Sequence, residues 1–149
     1  MTKFYSGRYT PKNPQKYLGD PSNVHYRSSW ERAVFRFLDA NPDVLGWCSE
    51  ETVIPYVCGT DGKLHRYFVD LKIRFKSGKT FLIEIKPKKE TVPPKQPAKK
   101  TRRYVTEVMT YVKNQSKWKA ADLYAKNAGW TFQIWDESTL KGLGIRLLT

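Results

Sequence analysis

Hydrophobic and polar residues change period repeatedly along this chain, and the changes mark its elements. Trp30, Ala33, Val34, Phe37 and Leu38 recur at helical intervals until Asn41-Pro42 breaks the run, and Ser28 and Glu31 precede it with capping-box spacing. The pattern predicts a helix over roughly 29–40. Four strand-like runs follow at 44–49, 52–57, 65–75 and 79–86, separated by turn residues at 59–62 and 77–78, and they read as an antiparallel meander. Residues 87–100 hold four prolines and five lysines, which excludes regular structure and leaves a basic loop. From about 101 to 127 the spacing is helical again. Tyr104, Val108, Tyr111, Gln115 and Trp118 form one stripe, Val105, Met109, Val112, Ala120 and Leu123 form the next, and Gly129 closes the helix. A last strand spans 130–135. This order predicts an α/β fold: a mixed β-sheet flanked by helices (αβββαβ), with the long helix crossing over to a strand parallel to a neighbour. Residues 1–27 carry Pro11, Pro14 and Pro21 without periodicity, so an extended basic N-terminal arm is expected ahead of a single domain over 28–149.

The central hairpin has two registers to choose between. In 65–75, Tyr67, Val69, Leu71, Ile73 and Phe75 alternate with Arg66, Phe68, Asp70, Lys72 and Arg74; in 79–86, Phe81, Ile83 and Ile85 oppose Glu84 and Lys86. A two-residue turn at Ser77-Gly78 would set one strand's apolar face beside the other's polar face. A three-residue loop, Lys76-Ser77-Gly78 with the glycine left-handed, aligns both apolar faces and sets Asp70 across from Glu84. Hydrophobic pattern therefore selects a register that gathers Asp70, Glu84 and Lys86 on one patch.

Composition narrows what that patch does. Of 149 residues 40% are hydrophobic and 14% aromatic, which excludes a disordered chain, and 27 Lys and Arg against 14 Asp and Glu give a net charge of +13. A polyanion, above all DNA, is the expected partner. There is no long apolar run or lipid-facing amphipathic stretch for a membrane. Cys48, Cys58, His25 and His65 lack the spacing of a zinc ribbon or finger, so the cysteines read as free core thiols. No apolar leader is read at the start of the chain, so the expected location is the cytoplasm or a particle assembled there. On such a basic protein two facing carboxylates supply hard oxygen ligands for Mg²⁺ or Mn²⁺, and Lys86 would orient water or offset charge on phosphorus. The competing reading is a solvated, salt-bridged strand face.

Asp70 and Glu84-Ile85-Lys86 on adjacent strands, after a helix bearing Glu31 and before a long helix, resemble the PD-(D/E)xK nuclease superfamily and its restriction-endonuclease-like core, with Val69 in place of the proline. The wider text, YSGRYTPKNPQKYLGD, YRSSWE, the run from HRYFVD to IEIKPKK, and NQSKWKAADLYAKNAGW, resembles the head completion nucleases of T-even-type bacteriophages. It is more distantly similar to the endonuclease subunit of cut-and-paste transposition systems. The resemblance implies a divalent-metal DNA endonuclease acting on packaged or terminal phage DNA, in the host cytoplasm or virion head, beside head or portal proteins. It also implies that Glu31, Asp70 and Glu84 hold Mg²⁺ or Mn²⁺, that Lys86 is the catalytic lysine, and that Gln115 touches the scissile strand. Glu31 keeps its alternative as the capping-box acid, and Gln115 its alternative as a buried amide. His65, Lys72 and Arg74 stay open between a role at the metal or on phosphates and a solvated strand. Arg66, Lys88, Lys89, Lys95, Lys99, Lys100, Arg102 and Arg103 are assigned to the DNA backbone. A non-catalytic basic protein that plugs DNA at a portal is the rival function, and the intact set Glu31, Asp70, Glu84 and Lys86 favours the enzyme.

Overall fold

The computed structural model describes residues 6–147. In chain order it contains β1 (Gly7–Arg8), β2 (His25–Tyr26), α1 (Ser29–Ala40), β3 (Val44–Ser49), β4 (Val53–Val57), β5 (Leu64–Phe68), β6 (Leu71–Phe75), β7 (Thr80–Ile85), α2 (Arg102–Ala128), β8 (Thr131–Trp135) and α3 (Glu137–Gly142). Four strands form the central sheet in the order β3-β6-β7-β8; β7 and β8 are parallel, joined by the α2 crossover, and the other pairs are antiparallel. This is the expected mixed sheet of a restriction-endonuclease-like core.

The sheet separates two apolar layers. On one side Val34, Phe35 and Leu38 of α1 pack with Trp47, Leu71, Ile73 and Ile83. On the other, Leu82 meets Trp118, Ala121 and Ala125 of α2 together with Ile54, Tyr56 and Tyr67. Ser28 starts α1 by accepting the Glu31 backbone N–H at 3.2 Å, and α2 ends on Gly129 in the left-handed region at φ 79°.

The hairpin register is the one that aligns the apolar faces. Leu71 pairs with Ile83 and Ile73 with Phe81, the Phe75 N–H reaches the Lys79 carbonyl at 2.9 Å, and Gly78 has φ 90°. Continued one step, the ladder sets Asp70 opposite Glu84.

Three expectations need correction. The first is the meander. β3 pairs with β6 rather than β4, while β4 and β5 make a separate two-stranded ribbon, and the run 65–75 breaks at Val69-Asp70. Glu50, at φ 55°, donates its N–H to the Asp70 carbonyl, and Val69 donates to Thr52, so the ribbon folds away from the sheet where β6 begins. Tyr67 and Val69 thereby join the α2 side while Leu71 and Ile73 face α1.

The second is the face of α2. Its buried stripe is Asn114, Trp118, Ala121 and Ala125, and both Met109 and Leu123 are exposed. Alanines with no accessible surface let the helix approach the sheet more closely than larger apolar side chains would.

The third is the N-terminal arm, of which residues 1–5 lie outside the described part. From Gly7 onward it is docked. Tyr9, Tyr17 and Val24 are buried, and both tyrosine rings pack edge-on against Trp47. Buried Asp39 accepts from the Tyr9 hydroxyl at 2.9 Å and from the backbone N–H groups of Lys12 and Asn13 at 2.7 and 3.1 Å. Lys16 Nζ donates to the carbonyls of Leu38, Asp39 and Asn41, which closes the C-terminus of α1. The segment belongs to the core layer around α1.

Candidate active site

The carboxylates sit on three elements and influence one another electrostatically: Glu31 in the first turn of α1, Asp70 at the bend entering β6, and Glu84 at the C-terminal end of β7. Glu84 is buried on the α2 side of the sheet, and the Tyr67 hydroxyl donates a hydrogen bond to its Oε1. Lys86, two residues along the same face, places Nζ 3.9 Å from Glu84 Oε2 and 4.0 Å from Glu90 Oε1. Asp70 is half-buried, and its Oδ2 accepts the Ile85 N–H at 2.8 Å. That bond fixes Asp70 to the backbone between Glu84 and Lys86, the two residues it was expected to join. Glu31 projects from α1 with Oε1 3.4 Å from the Arg27 N–H. Its carboxylate turns back to Arg27 rather than to Ser28, so the reciprocal half of a capping box is not made.

Electrostatics bind these groups into one unit. Burial, then the nearby Glu84 charge, push the Asp70 carboxyl well above its ordinary range, with Glu31 adding to the effect. Burial also raises Glu84, against the Tyr67 hydrogen bond and the charges of Lys86 and Lys117. Glu31 is pushed up to about 7, mainly by burial, with Glu50 and Glu84 contributing. Three acids that resist ionising together form an oxygen-rich pocket short of positive charge, and a hard divalent cation relieves that shortage. The donor set therefore fits Mg²⁺ or Mn²⁺. Tyr67 hydrogen-bonds one Glu84 oxygen and the Ile85 N–H one Asp70 oxygen, and the Glu31, Asp70 and Glu84 oxygens do not all lie within 4.8 Å of one another. Among the described residues, the group of three ligand types drawn within 4.8 Å of one another is a different one, Cys58, Asp61 and His65.

Sequence reasoning did not single out Tyr67, Lys117 or Glu50. Lys117 is the α2 residue that reaches the cluster: its Nζ lies 5.5 Å from the Tyr67 ring centre, and burial lowers its pKa against the pull of Glu84. Glu50 lies beside Glu31 and pairs with Arg27 at 3.1 Å. Gln115 is exposed, off the buried stripe of α2. His65 faces away from Asp70 and binds Asp61 at 2.8 Å at the far end of the ribbon. Arg66 is exposed on β5 with its guanidinium 5.6 Å from the Phe68 ring centre, and Lys72 Nζ sits 4.3 Å from the Trp130 ring centre. Beyond Lys86 the chain forms one short 3-10 turn at Lys88–Glu90 and then an irregular stretch to Thr101. Lys88, Lys89, Lys95, Lys99, Lys100, Arg102 and Arg103 are all exposed along it and in the first turn of α2.

Comparison with known proteins supplies the family. The chain is 47% identical to the head completion nuclease of Enterobacteria phage T4, an alignment covering 95% of this chain and 97% of that protein. Residues 41–137, which carry Asp70, Glu84, Lys86 and all four strands of the central sheet, match the model of the TnsA-like endonuclease N-terminal domain. With that match spanning more than half of its length, the chain belongs to the TnsA-like endonuclease family.

Proposed function

We propose that this protein is a divalent-metal-dependent DNA endonuclease that cuts phage DNA during completion of the head. The observation that supports the reading is the electrostatic coupling of Asp70 to Glu84 and Glu31, with Lys86 Nζ 3.9 Å from Glu84. The T4 relative's name supplies the biological step, and the charge of +13 suits a DNA substrate.

Glu31, Asp70 and Glu84 would hold Mg²⁺ or Mn²⁺, which lowers the pKa of bound water and polarises a phosphodiester. The chain's own groups do the positioning. Tyr67 fixes the rotamer of Glu84, and the Ile85 N–H fixes Asp70, so both carboxylates are oriented before substrate arrives. Lys86 sits on the rim of the cluster, where its ammonium group can hold the attacking water or offset charge on the phosphorus oxygens. The exposed basic stretch continuing from Lys86 would carry the DNA backbone past the cleft.

The test is nicking of supercoiled plasmid with Mg²⁺ or Mn²⁺ and with EDTA. Nicking that depends on the metal is expected. Retained DNA binding with no cleavage under any divalent ion would favour the plugging protein instead, and cleavage undiminished by EDTA would remove the metal from the mechanism.

A further inference from the structure

We propose a second cation site, separate from the carboxylate cleft: Cys58, Asp61 and His65, at the tip of the β4–β5 ribbon, form a zinc-binding cluster. The Cys58 sulfur, one Asp61 oxygen and one His65 ring nitrogen all lie within 4.8 Å of one another. Tetrahedral zinc has bonds of about 2.0–2.3 Å, which places its ligand atoms roughly 3.3–3.7 Å apart, so closure needs only side-chain adjustment. Thiolate, imidazole and carboxylate together suit zinc rather than the Mg²⁺ of an all-oxygen site.

The backbone holds these residues in place independently of any ion. Cys58 donates its N–H to the Lys63 carbonyl at 3.0 Å and accepts from the Gly62 N–H at 2.8 Å, with Gly62 left-handed at φ 68°. This tight turn brings the end of β4 and the start of β5 together, with Asp61 between them. The His65 ring stacks on Tyr56, which limits its rotation. The Gly59 N–H bonds Ser116 Oγ at 3.0 Å, seating the tip on α2.

The two cysteines differ in a way that matches this assignment. Both are buried, but only the Cys48 thiol, in the α1 layer, is pushed up by burial, to about 11. Cys58 contacts the Thr60 hydroxyl at 3.0 Å, and its thiol is lowered, chiefly by that hydrogen bond. On binding zinc, the Cys58 thiol gives its proton to solvent, and the His65 Nε2–H that donates to Asp61 is lost to solvent while Nδ1 takes up a proton, so the neutral ring changes tautomer and frees the Nε2 lone pair for the metal. Water completes the fourth position.

Cobalt serves as the probe because a thiolate ligand gives Co²⁺ a charge-transfer band in the near ultraviolet, which the all-oxygen cleft cannot produce. Titrating Co²⁺ into the full chain should raise this band to saturation at one equivalent, and Zn²⁺ should abolish it. Cys58→Ser should remove the band. His65→Ala, at a half-exposed position that leaves the core intact, should weaken Co²⁺ binding at least tenfold, since even loss of an outer partner of a ligand costs about 10–100-fold. No band in the parent, a band surviving in Cys58→Ser, or parental Co²⁺ affinity in His65→Ala would overturn the site. None of these readouts depends on cleavage, so they stand or fall apart from the nuclease reading.

Discussion

The Tyr67 hydroxyl donates to Glu84 across the junction between the ribbon and the sheet. This contact exists because the chain bends at Val69-Asp70: a straight strand would have put Tyr67 on the α1 side, with Leu71. The bend thus supplies a carboxylate of the cleft with its donor.

Tyr67→Phe tests that role. The ring still fills its place beside Trp118, but buried Glu84 loses a hydrogen bond of the charge-assisted kind, worth about 1.5–3 kcal/mol. A lower urea midpoint and reduced nicking are expected, with part of the activity restored at higher pH, where Glu84 ionises without help. Parental stability together with parental nicking would show that Tyr67 only fills space.

Asp70→Asn and Glu84→Gln preserve shape while removing charge from the proposed ligands. Both should abolish nicking in Mg²⁺ and leave DNA affinity in Ca²⁺ near the parental value, because the basic surface is untouched. Lys86→Ala should be equally inactive yet still bind metal. Wild-type nicking by either carboxylate variant would sink the site.

The hairpin that places these carboxylates was legible in the sequence, and the contacts that tune them were not. Aligning Leu71, Ile73 and Phe75 with Phe81 and Ile83 admits one register, and Gly78 at φ 90° follows from it. The bend was hidden because Tyr67, Val69 and Leu71 keep perfect alternation through it, and both faces of this sheet are covered. An apolar residue looks the same whichever layer receives it. Lys117 was invisible for a related reason: one lysine among many on a 27-residue helix carries no signal until the helix face is known. The docked N-terminal segment escaped because Tyr9, Tyr17 and Val24 are buried by separate local contacts, with no period to reveal them.

That docking rests on Asp39, which gathers three donors from the segment. Asp39→Ala leaves the Tyr9 hydroxyl and two backbone N–H groups without their acceptor, and stability should fall by roughly 2–4 kcal/mol in urea unfolding. An unchanged midpoint would mean that residues 7–13 add nothing to the fold.

The raised carboxyls make stability depend on pH in a defined direction. Glu31 ionises near 7 when folded against an ordinary 4.5, so between those values the folded chain binds more protons than the unfolded one. Its contribution is fully present below pH 4.5 and is lost as pH rises through 7. Asp70 and Glu84, also raised, act in the same sense. Without divalent ions the melting temperature should therefore fall between pH 5 and 8. Added Mg²⁺ should recover more of it at pH 8 than at pH 5, because the metal binds the ionised carboxylates. Calorimetry with EDTA and with Mg²⁺ checks both halves; a melting temperature that rises across this range in EDTA would contradict the electrostatics of the cleft.

The basic stretch after Lys86 is the last element to test. Lys95, Lys99 and Lys100 are exposed, and no helix or strand confines residues 92–100, so they can follow a phosphate backbone leaving the cleft. Each phosphate contact on duplex DNA releases counterions and contributes about 0.9 to the slope of log affinity against log salt. Replacing all three lysines with glutamine should therefore flatten that slope by up to about 2.7 and weaken binding equally for unrelated sequences. Turnover at saturating DNA should persist, because the carboxylates and Lys86 lie outside the substituted segment. A parental salt slope would free these lysines from the DNA path and make the stretch a solvated face or a docking surface for a head protein. The N-terminal segment would then be a poor substitute, since Lys16 already spends its ammonium group on the carbonyls that end α1; Lys3 lies outside the described residues. The path would have to run over Arg102, Arg103 and the exposed first turns of α2.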